Sequence, residues 1–197
     1  MAIRLLQRVN AKQAALFVCD LQEKFSKNIK YFPEIVQVTR RLIDASSLLD
    51  VPIIATEQYP KGLGHLVPEL GLKELNVPVY EKTCFSMCAN DIMGDLEKRQ
   101  IHEIILCGIE AHVCIYQTTL DLLNRGYTVH VVADACSSRS MTDRMVALKT
   151  LQQAGAYLTT SESMILGLVG GSDHPKFKEI QKIIMQSAPD TGLLAHL

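Results

Sequence analysis

Ala14-Ala-Leu-Phe-Val-Cys19, broken off at once by Asp20, is the stretch on which the fold turns. It is short, apolar and rich in strand formers, and it ends abruptly on a carboxylate. Val51-Pro-Ile-Ile-Ala55 and Glu103-Ile-Ile-Leu-Cys107 repeat the pattern. Apolar runs without polar alternation suit strands covered on both faces, so all three read as buried parallel strands. Val77-Pro-Val-Tyr80, Tyr127-Thr-Val-His-Val-Val-Ala133 and Ala156-Tyr-Leu-Thr159 are further strand candidates, which brings the expected sheet to six.

Helical periodicity fills the gaps. Pro33 to Leu49 places Ile35, Val36, Leu42, Ile43 and Leu49 at helical spacing, and Ala89 to Arg99, Val113 to Arg125 and Thr142 to Ala154 follow suit. Gly126 and Gly155 stand where helices end, and Asp143 and Ser161 where a first turn or cap is useful. Strand and helix alternating in this way, with right-handed crossovers, fold into an α/β chain. The expected architecture is a three-layer α/β/α sandwich around a six-stranded, mostly parallel, Rossmann-like sheet. It forms one domain over residues 1–197, with a core of about 11–187. The longest irregular stretch runs from Glu57 to about Asn76 and has the composition of a substrate-covering loop.

The 197 residues are 48% hydrophobic, enough for a sizeable core, so global disorder is excluded. Twenty Lys and Arg stand against 21 Asp and Glu, a net charge of −1, and a broad cationic surface for nucleic acid is not expected. No apolar run approaches the ~20 residues that cross a bilayer, and no secretory signal is evident, so a soluble, cytoplasmic protein without membrane partners is expected. Arg4, Arg8 and Lys12 with no acid before Asp20 faintly suggest a mitochondrial leader as the alternative. Six cysteines are read as thiols, because Cys19 and Cys107 lie inside apolar strands. Cys84 and Cys88 lack the paired ligands of a structural zinc site.

Three polar groups fall at strand ends or just beyond. Asp20 follows the first strand, Lys82 follows the Val77 strand, and Cys114 stands where a helix opens after Gly108. In a parallel sheet these ends share one rim, and ligands bind there. A thiolate is the reactive form of cysteine; a helix N-terminus and an ammonium favour it, and a carboxylate can take its proton. Each residue also has an ordinary reading, as a turn residue, a solvated lysine or a buried thiol.

The strings Phe17-Val-Cys-Asp20-Leu-Gln22, Glu81-Lys82-Thr-Cys-Phe85-Ser86 and Gly108-Ile-Glu-Ala-His-Val-Cys114 together resemble the isochorismatase-like cysteine hydrolase superfamily. More narrowly, Thr56-Glu-Gln-Tyr-Pro60, Lys82-Thr-Cys-Phe-Ser86, Gly108-Ile-Glu-Ala and Asp134-Ala-Cys-Ser-Ser-Arg-Ser140 look like the eukaryotic isochorismatase domain-containing proteins. The resemblance implies a catalytic triad of Asp20, Lys82 and Cys114, with Cys114 the nucleophile and Asp20 carrying the proton. It further implies a cis peptide at Ile109-Glu110 and an oxyanion hole of the Glu110 and Cys114 backbone N–H groups. Gln22, Phe25, Glu57, Gln58, Tyr59, Phe85 and His112 are candidates to contact a small-molecule substrate. For Glu57, Gln58, Phe85 and His112 a loop, core or helix-start role is the commoner reading, and the Asp134 to Ser140 run reads best as a helix cap.

Departures from the superfamily narrow the expectation. Where nicotinamidases carry an Asp-x-His metal motif, this chain has Gln58-Tyr59-Pro60, with His65 alone downstream, so neither metal nor cofactor is expected. Dedicated isochorismatases lack the nucleophilic cysteine, whereas Cys114 is present. The resemblance therefore implies a hydrolase of an amide, ester or related acyl compound. Its rivals are a catalytically idle interaction module and a ribonuclease, a label some relatives carry. Self-association to a dimer or tetramer is common in the superfamily, and the apolar stretch Gly192 to Leu197 is a candidate to support it.

Overall fold

A computed structural model describes residues 8–189. The basic segment before Arg8 and the Gly192 to Leu197 stretch lie outside the described residues. Six strands, β1 (Ala14–Cys19), β2 (Ile53–Gln58), β3 (Val79–Lys82), β4 (Glu103–Gly108), β5 (Thr128–Cys136) and β6 (Tyr157–Thr159), form one sheet in the order β3-β2-β1-β4-β5-β6. Every pairing is parallel. This is the doubly wound order whose direction reverses beside β1, and ligands in such sheets sit outside the carboxyl ends at that reversal.

Helices cover both faces. Among the described residues they are α1 (Phe32–Leu48), α2 (Pro60–Leu63), α3 (Asn90–Lys98), α4 (Cys114–Asn124), α5 (Met141–Ala154), α6 (Ser161–Val169) and α7 (Phe177–Met185). The period-two geometry of β1 sorts its side chains. Ala14, Leu16 and Val18 join the core under α1, α6 and α7, while Ala15, Phe17 and Cys19 join the core under α3, α4 and α5. All six are fully buried. The unbroken apolar run thus serves two cores at once, with ~1.5–3 kcal/mol for each large side chain taken from water.

Several boundaries differ from those the sequence suggests. β2 and β3 begin two residues later than Val51 and Val77, beyond Pro52 and Pro78. A proline has no N–H for the ladder, so each is left to supply only its carbonyl, to Leu16 and Ala55 respectively. β5 runs on to Cys136, where a register shift against β4 lets Cys136 pair with Gly108. The sequence reading gives no span for the two C-terminal helices, although Ser161, read as a first-turn or capping residue, does open α6. α6 is almost wholly apolar and so shows little amphipathic pattern; its start is capped by the Thr160 hydroxyl, which accepts from the Ser163 N–H at 3.3 Å. α7 does place Phe177, Ile180 and Ile184 on one face, packed against the α1 layer, and periodicity alone could have found it. The stretch after Glu57 is loop for the most part, interrupted by α2 and a single helical turn at Pro68–Leu70.

Gly108 decides how closely β1 and β4 approach at the site. Its φ of 121° and its position beside Cys19 leave no room for a side chain, since a Cβ would be driven into the Cys19 carbonyl. Gly108→Ala is therefore expected to destabilise the fold by at least ~2 kcal/mol, through backbone conformation and overpacking together. Urea unfolding checks this, and a loss under 0.5 kcal/mol would contradict it.

Candidate active site

The carboxyl rim carries Thr56 of β2 beside Cys19 of β1, which lies beside Gly108 of β4. Asp20 follows directly and turns the chain sharply, with a left-handed φ of 53°. Asp is among the few side chains that tolerate this region. Lys82 is the last residue of β3, paired in register with Gln58 of β2. With strands ~4.8 Å apart, β3 is ~10 Å from β1, and a long stem is needed to cross β2. The Lys82 ammonium makes that crossing and donates to Asp20 Oδ2 at 2.6 Å.

Both partners are buried, with side chains 3% and 1% exposed. Their remaining capacity is also satisfied. Lys82 Nζ donates to Gln58 Oε1 at 2.7 Å and to the Phe85 carbonyl at 3.0 Å. Asp20 Oδ1 accepts from the Thr56 hydroxyl at 2.8 Å. Burial disfavours the ammonium, yet the acidic groups around it, with Asp20 acting through both its charge and its hydrogen bond, outweigh this and raise the Lys82 pKa above that of an ordinary lysine. The group is a fixed cation.

Cys114 opens α4, an 11-residue helix, and is itself buried. Ligand-type atoms of Cys19, Asp20 and Cys114 all lie within 4.8 Å of one another. Such a cluster could in principle hold a metal ion. The donor set does not favour it, because both Asp20 oxygens are already hydrogen-bonded and an ammonium stands 2.6 Å from one of them. Cys19 is the neighbour that sequence reading assigned only to the core. Burial raises its pKa well above that of a free thiol, and the hydrogen bond with Cys114 and the charge of Asp20 add to this. It stays protonated beside Cys114. Burial likewise pushes the Cys136 thiol up to about 12. All six cysteines are free.

A cleft of ≈810 Å³ opens over Cys114. Of the candidate contacts, Phe25, Gln58, Tyr59 and Phe85 line it, together with Leu63, Thr83, Ile109, Val113 and Arg139. Tyr59 and Phe85 are about half exposed, so the core reading of Phe85 is corrected. Gln22, Glu57 and His112 do not line the cleft, for identifiable reasons. The Gln22 amide bridges the Gln58 and Gly64 carbonyls and the Gln58 N–H, bracing the loop after β2 from beneath. Glu57 accepts from the Leu66 N–H and pairs with His65, whose side chain is otherwise largely exposed. His112 hydrogen-bonds the Ser138 hydroxyl. Thus only the first part of the Glu57 to Asn76 loop borders the cleft.

The Ile109–Glu110 peptide bond is cis. Glu110 accepts from Arg139 at Nε (3.2 Å), Nη2 (2.9 Å) and the backbone N–H (3.1 Å). Burial alone would raise the Glu110 pKa, but these bonds win and hold it below the usual carboxylate range. The Asp134 to Ser140 run therefore does more than cap. Ser140 does cap α5, at Asp143 N–H, while Asp134 caps α6 at Ser161 and Arg139 closes on the cleft.

Comparison with known proteins follows the same lines. Residues 14–163 match the isochorismatase domain family. Human isochorismatase domain-containing protein 2 is 56% identical over 190 residues, covering 96% of this chain and 91% of that protein. A structure described as MAR1 ribonuclease from Caenorhabditis elegans is 63% identical and superposes with a TM-score of 0.91, over 95% of this chain and 97% of that one. The YcaC product of Escherichia coli, described as an octameric hydrolase of unknown specificity, is 22% identical with a TM-score of 0.85, covering 98% and 96%. At that identity it shows the shared fold alone. With the family match covering most of its length and close relatives spanning nearly all of it, the chain belongs to the isochorismatase family.

Proposed function

We propose that the protein is a cysteine hydrolase that needs no metal and cleaves a small amide, ester or related acyl compound through a thioester on Cys114. The observation that carries this reading is the convergence, from three distant segments, of a thiol and a carboxylate at one cleft with a buried ammonium hydrogen-bonded to the carboxylate.

In this mechanism Asp20 takes the Cys114 thiol proton. The resulting thiolate sits at the start of α4, where the helix dipole favours negative charge. Its sulfur attacks the substrate carbonyl carbon, and the oxyanion is received by the Glu110 and Cys114 backbone N–H groups. The carbon–heteroatom bond breaks, and Asp20 returns its proton to the departing amine or alkoxide. Water then attacks the thioester and gives a proton to Asp20; the acid departs and Cys114 recovers its thiol. Lys82 carries no proton in the cycle. It holds Asp20 in place and offsets the negative charge that thiol and carboxylate share.

The description of the nematode relative favours a second reading, ribonuclease. RNA needs a track of unpaired cations with aromatic platforms. Here Lys82 and Arg139 are each matched by a carboxylate inside or beside the cleft, which supports the acyl reading.

The test uses p-nitrophenyl acetate and intact-protein mass spectrometry. An acetyl adduct mapping to Cys114 is expected, with turnover falling at least ~10³-fold in Cys114→Ala. Acetylation spread over exposed lysines, with turnover unchanged in Cys114→Ala, would contradict the reading. A mixed-sequence RNA should not be cut in a Cys114-dependent manner at low salt; if it is, the ribonuclease reading replaces this one.

A further inference from the structure

We infer that the cleft is built for an uncharged substrate carrying a compact apolar or aromatic group, and that it excludes anionic acyl compounds. The inference rests on the hydrolase reading and adds the substrate class. It comes from a count of which polar groups at the site remain free to meet a ligand.

Lys82 is the cation paired with Asp20, and its three ammonium hydrogens go to Asp20, Gln58 and the Phe85 carbonyl, with the Cys84 carbonyl a more distant fourth acceptor at 3.4 Å. None is left to bind a substrate carboxylate. Gln58 bridges inward as well, accepting from Lys82 and donating to the Thr83 carbonyl at 2.9 Å. The other cation bordering the cleft, Arg139, places Nε, Nη2 and its backbone N–H on Glu110. The formal charges therefore balance within two pairs, the buried Asp20 with Lys82 and Glu110 with Arg139, although the Arg139 side chain is itself 67% exposed.

Most of the remaining lining is carbon, with the Thr83 and Tyr59 hydroxyls as exceptions. Phe25, Tyr59, Leu63, Phe85, Ile109 and Val113 supply its walls. A carboxylate or phosphate entering it would shed water and meet no cation that lacks a carboxylate partner, and would approach a negatively charged nucleophile. A neutral carbonyl loses little by the same move, and its apolar substituent gains from the walls. Tyr59 and Phe85, both in the lining and about half exposed, offer ring surface to a flat or branched group.

A pair of alkylating agents of nearly equal size tests this without a known substrate: neutral iodoacetamide and anionic iodoacetate. Rates are read at Cys114 by peptide-resolved mass spectrometry, with exposed Cys84 and free glutathione as references for intrinsic reactivity. The preference for iodoacetamide at Cys114 should exceed that at both references by at least ~10-fold, since only the cleft imposes the unpaired-anion penalty. Equal ratios at all three thiols, or a Cys114 preference for iodoacetate, would overturn the inference while leaving the nucleophile intact. Failure of Cys114 to react with either reagent would instead overturn the hydrolase reading beneath it.

A second arm reopens one closed pair. Glu110→Gln leaves the Arg139 guanidinium without its carboxylate, and the Cys114 ratio should shift towards iodoacetate by at least ~3-fold, as an unpaired cation admits an anion. No shift in the folded variant would overturn the inference that carboxylate pairing of the cleft's cations excludes anions. In turnover, p-nitrophenyl butyrate should be cleaved and the mono-p-nitrophenyl ester of succinic acid, of the same chain length, should not; cleavage of both at similar kcat/KM would overturn the inference.

Discussion

The buried pair between Lys82 and Asp20 is the constraint around which the site is arranged. Removing one partner of such a pair leaves an uncompensated charge at a cost of ~3–5 kcal/mol, so the surroundings have to keep both in place. They do so with neutral acceptors and donors. Gln58, the Phe85 carbonyl and the Thr56 hydroxyl absorb the hydrogen-bonding capacity that the two charges leave over. Each of these groups is on, or a few residues beyond, a strand that ends at the same rim. The chemistry of the floor and the boundaries of β1, β2 and β3 are thus one problem with one solution.

Topology makes that solution available. The doubly wound order reverses between β1 and β4, and the crevice beside the reversal receives Asp20 from one strand and the Gly108 to Cys114 turn from the other. Gly108 lets the turn start in contact with Cys19, and α4 begins four residues after Glu110. A helix N-terminus, a thiol and two backbone N–H groups are delivered within one short connection. Such a compact turn also leaves space above it, which the aromatic residues after β1, β2 and β3 border.

Legibility in the sequence followed the range of the interactions. Strands buried on both faces are apolar throughout, so β1 and β4 were plain, and the triad candidates stood out because each interrupts or follows such a run. Helix α6 was hidden by its own uniform hydrophobicity, and α7 was a pattern overlooked rather than absent. Cys19 illustrates a deeper limit. Its strand context correctly marked it as buried, but whether a buried thiol faces a core or a nucleophile depends on a neighbour 95 positions away in the chain. The same holds for Gln22, Glu57 and His112, polar residues near the rim whose side chains were captured by backbone groups, His65 or Ser138. Their types suggested substrate contact; their partners, set by tertiary structure, made them braces.

The central claim is that Asp20 and Lys82 act on Cys114 as a unit. The most direct measurement is the iodoacetamide alkylation rate of Cys114 at neutral pH in the wild type, Asp20→Asn and Lys82→Met, with protection of buried Cys107 and Cys136 reporting that each protein is folded. The account predicts that Cys114 in the wild type reacts faster than exposed Cys84, and that each substitution slows it at least ~10-fold while the buried thiols stay protected. A Cys114 rate that is the same in all three folded proteins would contradict it.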